Sequence, residues 1–246
     1  MRGVNKPRKS HLPRETAALL KSLTEKIKTN EDDSLEPAKI SMLLFGLQNF
    51  TCDASGSASS TVVRDLLKEI SSKVSTSAPG WSGRAAGTAL FGLRGGSSEV
   101  EEVRTLLATL LEKFDAEEEE DFALNPQEIA NALYGLQKMS SDHEEVTDIL
   151  GFFRDKLMSC DARPFKAQEI SNIMYGLHRM SSSEPEVRNL INVLTEKIDE
   201  STGEFTGQDI GNSLYGLQNM SSDFTEVRDL LTSLHLKVKK SASVLS

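Results

Sequence analysis

Cysteine is scarce in this chain. Cys52 and Cys160 are the only two among 246 residues, too few for a disulfide scaffold. Both read as small buried side chains in a reducing compartment. Histidine is thin as well: His11, His143, His178 and His235 are scattered, with no His-Glu-x-x-His or paired-cysteine spacing that would hold zinc. A phosphate cradle is also missing. The glycine-rich stretch from Gly92 to Ser98 lacks a Walker lysine and a preceding strand, and reads as a turn between helices. With no nucleophile-and-base set either, the expectation is a protein that is not an enzyme, uses no cofactor and takes no small-molecule substrate. Long apolar runs are absent too, and no stretch approaches the ~20 residues needed to cross a bilayer. No secretory signal opens the chain. These absences point to an intracellular protein without a membrane span.

Positive charge is also in deficit. Lys and Arg number 28 against 37 Asp and Glu, a formal charge of −9, which argues against a phosphate-rich partner if spread evenly. It is not spread evenly. The run Asp115 to Asp121 is read as a solvated acidic loop, whereas Arg2, Lys6, Arg8, Lys9 and Arg14 open the chain without an acid. That basic start, broken by Pro7 and Pro13, reads as a disordered tail over residues 1–13.

What the sequence has in abundance is self-similarity. Aromatic-Gly-Leu occurs at Phe45-Gly46-Leu47, Phe91-Gly92-Leu93, Tyr134-Gly135-Leu136, Tyr175-Gly176-Leu177 and Tyr215-Gly216-Leu217, in steps of 46, 43, 41 and 40 residues. A fixed period of this size marks a stacked helical-repeat protein. Each tripeptide sits late in a first helix, type A, taken as residues 37–49, 81–96, 126–138, 167–179 and 207–219. Ile129, Leu133, Leu136 and Met139 recur at helical spacing in the third of these. A Ser-Ser pair follows, then a second helix, type B. Asp142 with Glu145, Ser183 with Glu186 and Asp223 with Glu226 read as capping boxes for the B helices.

The B helices share one apolar template. Val146, Ile149, Leu150, Phe153 and Leu157 match Val187, Leu190, Ile191, Leu194 and Ile198, and equally Val227, Leu230, Leu231, Leu234 and Val238. The two earlier copies obey the same template, and a lone B helix with Leu19, Leu20, Leu23 and Ile27 precedes them. The expected fold is therefore all-α, an α-solenoid of five two-helix repeats of 40–46 residues plus an N-terminal half repeat. It would span residues 14–240, with a C-terminal tail at 241–246.

Glycine inside a helix costs about 1 kcal/mol relative to alanine, so five copies need a reason. Close approach of neighbouring A helices is preferred over room for a ligand. Lys26, Lys73, Lys113, Lys156, Lys197 and Lys237 form a ladder near the ends of the B helices. They could face phosphates, but complementing the helix dipole suffices. Arg64, Arg104, Arg188 and Arg228, near B-helix starts, read as surface ion pairs within one turn.

The A-helix face opposite the apolar stripe carries the binding candidates. At 100° per residue, Asn131, Tyr134 and Lys138 fall together, with Gln137 nearby. The later copies supply Asn172, Tyr175, His178 and Arg179, then Asn212, Tyr215, Gln218 and Asn219. The earlier ones offer Gln48 and Asn49, then Arg94 beside Gly95, with Met42 and Thr88 in place of the asparagine. A constant frame with one varying polar position suits a reader of an extended polymer. For the asparagines, a backbone hydrogen bond to the adjacent repeat is the preferred alternative. The A segments carry formal charges of +1, +2, 0, 0 and −1, so the acidity of the chain lies elsewhere.

The unit Gln-Glu-Ile-Ala-Asn-Ala-Leu-Tyr-Gly-Leu-Gln-Lys-Met at 127–139, with its copies at 168–180 and 208–220, resembles the helical-hairpin repeats of organellar RNA-metabolism proteins. Octotricopeptide-type repeats, the helical region of FAST-kinase-like proteins and a subunit of the RNA-editing substrate-binding complex are similar. The likeness covers about residues 14–240. It implies an α-solenoid that binds single-stranded RNA along its first helices, in a mitochondrion or plastid. Asn49, Lys138, Arg179, Asn219 and their neighbours would carry the contacts. The alternative is a protein-interaction scaffold of HEAT or armadillo architecture, using the concave surface of such a stack.

Overall fold

The structure, a computed structural model, describes residues 12–30, 35–118 and 122–241. Residues 1–11 of the expected basic tail, 119–121 of the acidic run and 242–246 of the C-terminal tail lie outside the described residues. Eleven α-helices occur among the described residues: α1 (Arg14–Lys28), α2 (Pro37–Gly46), α3 (Ala58–Ser75), α4 (Gly83–Gly92), α5 (Glu101–Asp115), α6 (Pro126–Gly135), α7 (Glu144–Met158), α8 (Ala167–Gly176), α9 (Pro185–Glu200), α10 (Gly207–Gly216) and α11 (Thr225–Lys240). A single 3-10 turn, Leu93–Gly95, follows α4. Even-numbered helices are type A and odd-numbered ones type B. A packs on A and B on B along the chain, giving the two-layered α-solenoid that the repeat predicts. No helix of the described residues is long and apolar enough to cross a membrane.

The core is the union of the two apolar stripes. Ile129, Leu133, Leu136, Val146, Ile149, Leu150, Phe153 and Leu157 are all fully buried in the third repeat. Beneath the loops that lead into the A helices sit Trp81, Phe122, Phe165 and Phe205, also fully buried. Sequence periodicity did not single out these anchors. A lone aromatic two residues before the helix, as with Trp81, Phe165 and Phe205, is the signal that marks them.

The starts of α4, α6 and α10 are capped by N-cap side chains. Asn125 accepts from Gln127 and Glu128 backbone N–H groups while Glu128 accepts from Asn125 N, and Thr206 and Asp209 repeat that reciprocal arrangement. Capping of the B helices differs from expectation. Their N-caps are His143, Glu184 and Phe224, and none makes a side-chain cap bond. Asp142, Ser183 and Asp223 lie one residue too early. Their own N–H groups are held by Ser140, Ser181 and Ser221 Oγ at 3.3, 3.2 and 3.2 Å, which fixes them in the preceding turn.

The boundaries of the A helices also need correction. Each ends at the glycine of its tripeptide, not three or, in the second copy, four residues later. Beyond it the chain tightens into i→i+3 bonds, Leu136 N to Leu133 O, Gln137 N to Tyr134 O and Met139 N to Leu136 O. Residues after the glycine therefore leave the helix face on which a 100° projection places them.

Four sets of contacts bind repeat to repeat. The first is the glycine: a Cβ on Gly92, Gly135, Gly176 or Gly216 would lie 2.0–2.3 Å from the carbonyl oxygen of Leu44, Leu90, Leu133 or Met174 in the preceding A helix. The packing reading of the glycine holds for these four copies, and Gly46 in the first meets nothing within 4 Å. Secondly, the buried hydroxyls of Ser98, Ser141 and Ser182 accept from Ser140, Ser181 and Ser221 N at 2.9, 2.9 and 2.8 Å. The third set is ionic. Arg64, Arg104 and Arg188 pair with Glu102, Glu145 and Glu226 at 2.9, 3.5 and 3.8 Å. These pairs cross to the next repeat instead of staying within one turn; repeat three has Thr147 at the arginine position.

Fourthly, the lysine ladder reaches backwards. Lys73, Lys113, Lys197 and Lys237 Nζ donate to Asn30, Ser77, Cys160 and Ser201 carbonyls just past the end of the preceding B helix. Lys156 instead lies over the rings of Phe122 and Phe152. The ladder thus serves helix ends, as its dipole reading requires, but those of the neighbouring repeat. Both cysteines are free and buried, and burial pushes the Cys52 thiol up to about 11.

Candidate functional site

The A layer presents its tripeptide aromatics as one column. Phe45, Phe91, Tyr134, Tyr175 and Tyr215 stand ring over ring at centroid spacings of 5.9, 5.7, 5.4 and 5.1 Å, with interplanar angles of 18–23°. Their faces are used against each other, leaving edges and the three tyrosine hydroxyls towards solvent. Burial, with the neighbouring Tyr134 and Tyr215, raises the pKa of the Tyr175 phenol, so it stays protonated at neutral pH.

Beside this column runs a furrow. One open depression of about 410 Å³ is lined by Phe91, Arg94, Tyr134, Asn172, Tyr175, Gln208 and Asn212, spanning repeats two to five. A second, of about 540 Å³, shares Asn172, Gln208 and Asn212 with it and continues towards the starts of α8 and α10. Two steps earlier in the stack, Thr88, Gln127 and Asn131 line the equivalent space between α4 and α6.

Asn131, Asn172 and Asn212 occupy one matched position in α6, α8 and α10 and are half-buried. The expected backbone bond to the adjacent repeat is not made. None of these three amides has a protein hydrogen-bond partner among the described residues, while no fully buried polar atom is left unsatisfied. Position explains this. Each asparagine lies mid-helix, where backbone groups are consumed by the helix itself, and the neighbouring A helix offers none at that height. The amides are consequently open to a polar ligand.

Residues two and three beyond the glycine behave otherwise. Gln137 and Gln218 Nε2 donate to Tyr134 and Tyr215 carbonyls at 3.3 and 3.0 Å, and His178 Nδ1 to Tyr175 O at 2.8 Å. They close the ends of their own A helices. Burial lowers the His178 pKa below its ordinary value, against the bond to Tyr175 O that favours the proton, so the ring is neutral at pH 7. Arg94 donates to Gln48 O and Asn49 Oδ1 and lies 4.7 Å over the Phe91 ring. Arg179 donates to Lys138 O and Asn219 to His178 O in the preceding repeat.

Of the sequence candidates, then, Asn172, Asn212 and Arg94 come together in one furrow, and Asn131 lines a separate depression between α4 and α6. Gln48, Asn49, Gln137, Lys138, His178, Arg179, Gln218 and Asn219 form a rim on the turns, most of them engaged with carbonyl oxygens. Gln208 is the furrow residue that the helical projection passed over; its counterparts Gln127 and Gln168 stand at the same distance before the tripeptide.

At the start of α8 a buried carboxylate is paired. Burial opposes ionisation of Glu169, yet two bonds from Arg163 and the Lys166 N–H hold its carboxyl below the ordinary value. No group of three or more His, Cys, Asp or Glu able to hold a metal occurs among the described residues. No family model matches the chain, and neither the curated proteins nor the solved structures supply a significant match.

Proposed function

We propose that this chain is a non-enzymatic binding module for single-stranded RNA, held along the A layer of repeats three to five. One observation carries the reading: three asparagine amides, one per repeat at a matched position, line depressions along the A layer with no protein partner. An amide offers paired donor and acceptor groups that match base edges, and helical-repeat RNA readers take bases at matched positions of successive repeats. Tyrosine hydroxyls accompany the asparagines in the same three repeats. Repeats one and two carry Met42 with Phe45 and Thr88 with Phe91 at those places, so polar recognition is confined to the C-terminal three.

Cationic contacts to the backbone would come from Arg94 in the furrow and from Lys138 and Arg179 on the rim; the latter two are among the residues that the repeat's likeness to organellar RNA proteins also designates. A compact ligand would need only one such unit; the recurrence favours a polymer.

Titration of a labelled, unstructured RNA oligomer against the full chain tests this. Expected are micromolar or tighter affinity at low salt, weakening with added salt, and a loss of about tenfold or more (about 1.4 kcal/mol) in the Asn131→Ala/Asn172→Ala/Asn212→Ala variant. Absence of binding at low salt sinks the reading. So does a triple variant that binds as the parent does while keeping its helical content.

A further inference from the structure

We propose that the C-terminal end of the stack is a docking face for a further helical hairpin of this same repeat type. The face is built from α10 and α11 and is separate from the furrow, so the inference stands whether or not RNA binds.

The internal repeats show what this face lacks. Leu90, Leu133 and Met174 are 0% exposed, whereas their counterpart Leu214 is 58% exposed. Leu107, Leu150 and Ile191 are likewise fully buried, yet Leu231 is 38% exposed. Between them an apolar groove of about 300 Å³ opens, lined by Ile210, Leu214, Leu231, Leu234 and Val238 among others. Gly87 would meet Glu128 O of the next repeat at 2.8 Å if it carried a Cβ, whereas its counterpart Gly211 meets nothing within 4 Å.

Polar features of the interface are equally unfilled. Ser98, Ser141 and Ser182 each accept an N–H from the following repeat; Ser222 is the next position in that series, and its hydroxyl accepts no such bond among the described residues. Arg64, Arg104 and Arg188 pair with a glutamate of the next B helix. Arg104 and Arg188 also donate to carbonyls of their own turns, Ser98 O and Ser182 O; Arg228 keeps the own-turn bonds, to Ser222 O, Asp223 O and Thr225 Oγ1, but pairs with no carboxylate among the described residues.

Continuity with the internal interfaces therefore specifies the occupant. Its first helix carries a glycine to sit on Leu214 O and an aromatic to stack on the open face of Tyr215. Its turn offers an N–H to Ser222, and its second helix opens with a glutamate for Arg228. A second copy of this chain fits less well. At its N-terminal end α1 already occupies the B layer beside α3, and Val62 stands where the glutamate is needed.

Extending the chain directly after Ser241 with a second copy of residues 202–241 supplies the specified hairpin. The unfolding midpoint should rise by about 4 °C or more, and Leu214→Lys in the extended chain should cancel the rise. An unchanged or lower midpoint overturns the proposal, as does a rise that survives Leu214→Lys. Light scattering on the unextended chain should give the monomer mass. A dimer that Leu214→Lys dissociates would overturn the choice of occupant in favour of a second copy.

Discussion

Gly135 packs its Cα against the carbonyl of Leu90 so closely that a Cβ would stand 2.0 Å from that oxygen and 2.5 Å from its carbon. Both are backbone atoms, which no rotamer change can move. Gly135→Ala must therefore push α6 away from α4 and open the inter-repeat core, and the expected loss is roughly 3 kcal/mol or more. Gly46 is the control. It occupies the same place in the tripeptide but meets nothing within 4 Å, so Gly46→Ala should be neutral or stabilising by about 0.5–1 kcal/mol. Denaturant unfolding of the two variants beside the parent reads the difference; equal effects would refute the packing role.

A second pair separates the serines of the turn. Ser141 is 2% exposed and accepts from Ser181 N of the next repeat, whereas Ser140 Oγ accepts only from exposed Asp142 N. Ser141→Ala strands a part-buried N–H and should cost about 1–3 kcal/mol. Ser140→Ala should stay within about 0.5 kcal/mol. Comparable losses from both would show that the hydroxyl of Ser141 is not what joins the repeats.

The acid limb of stability should report Glu169. Its carboxyl is nearly buried, accepts from Arg163 and Lys166 N, and is held below its ordinary pKa despite the burial that opposes ionisation. A depressed folded value means stability that is complete above the unfolded value, about 4.3, and lost as pH falls through the lower folded one. Glu169→Gln should lower stability by about 1–3 kcal/mol at pH 7, with a gap to the parent that closes below that window. Thermal unfolding of both proteins across the acid range checks this; a gap that persists in acid would assign the loss to packing.

These contrasts show why some of the molecule was legible in its sequence. Val146, Ile149, Leu150 and Phe153 announce a B helix because burial of a stripe forces a 3.6-residue period. The tripeptide glycine announces contact because nothing local rewards it. Where a helix stops is harder to read. The A helices end at Gly135, Gly176 and Gly216, and it is the i→i+3 turns beyond them that turn Lys138 and Arg179 off the face where periodicity puts them. Hydrogen bonds between residues some forty apart, such as Ser181 to Ser141, leave no local trace beyond the paired serines. The furrow asparagines are subtler. A repeated amide in a stacked helix suggests a structural bond, and only coordinates show that the neighbouring helix supplies no partner.

Two sets of cations give the sharpest test of where RNA lies. Lys113 and Lys237 direct Nζ to Ser77 O and Ser201 O at 3.2 and 2.8 Å, on the B side of the stack. Burial lowers the Lys237 pKa below its ordinary value, which suits an ammonium withdrawn from solvent. Lys113→Met with Lys237→Met should reduce stability by about 1 kcal/mol per site while leaving RNA affinity within about twofold. Lys138 and Arg179 stand on the A-side rim, where charge can reach a phosphate. Lys138→Glu with Arg179→Glu should weaken binding about tenfold or more at low salt and flatten its dependence on salt, because fewer counterions are released. Anisotropy titrations at two salt concentrations measure both effects. If the B-side pair abolished binding and the rim pair left it intact, the RNA would have to run along the B layer, against the lysines rather than the asparagines.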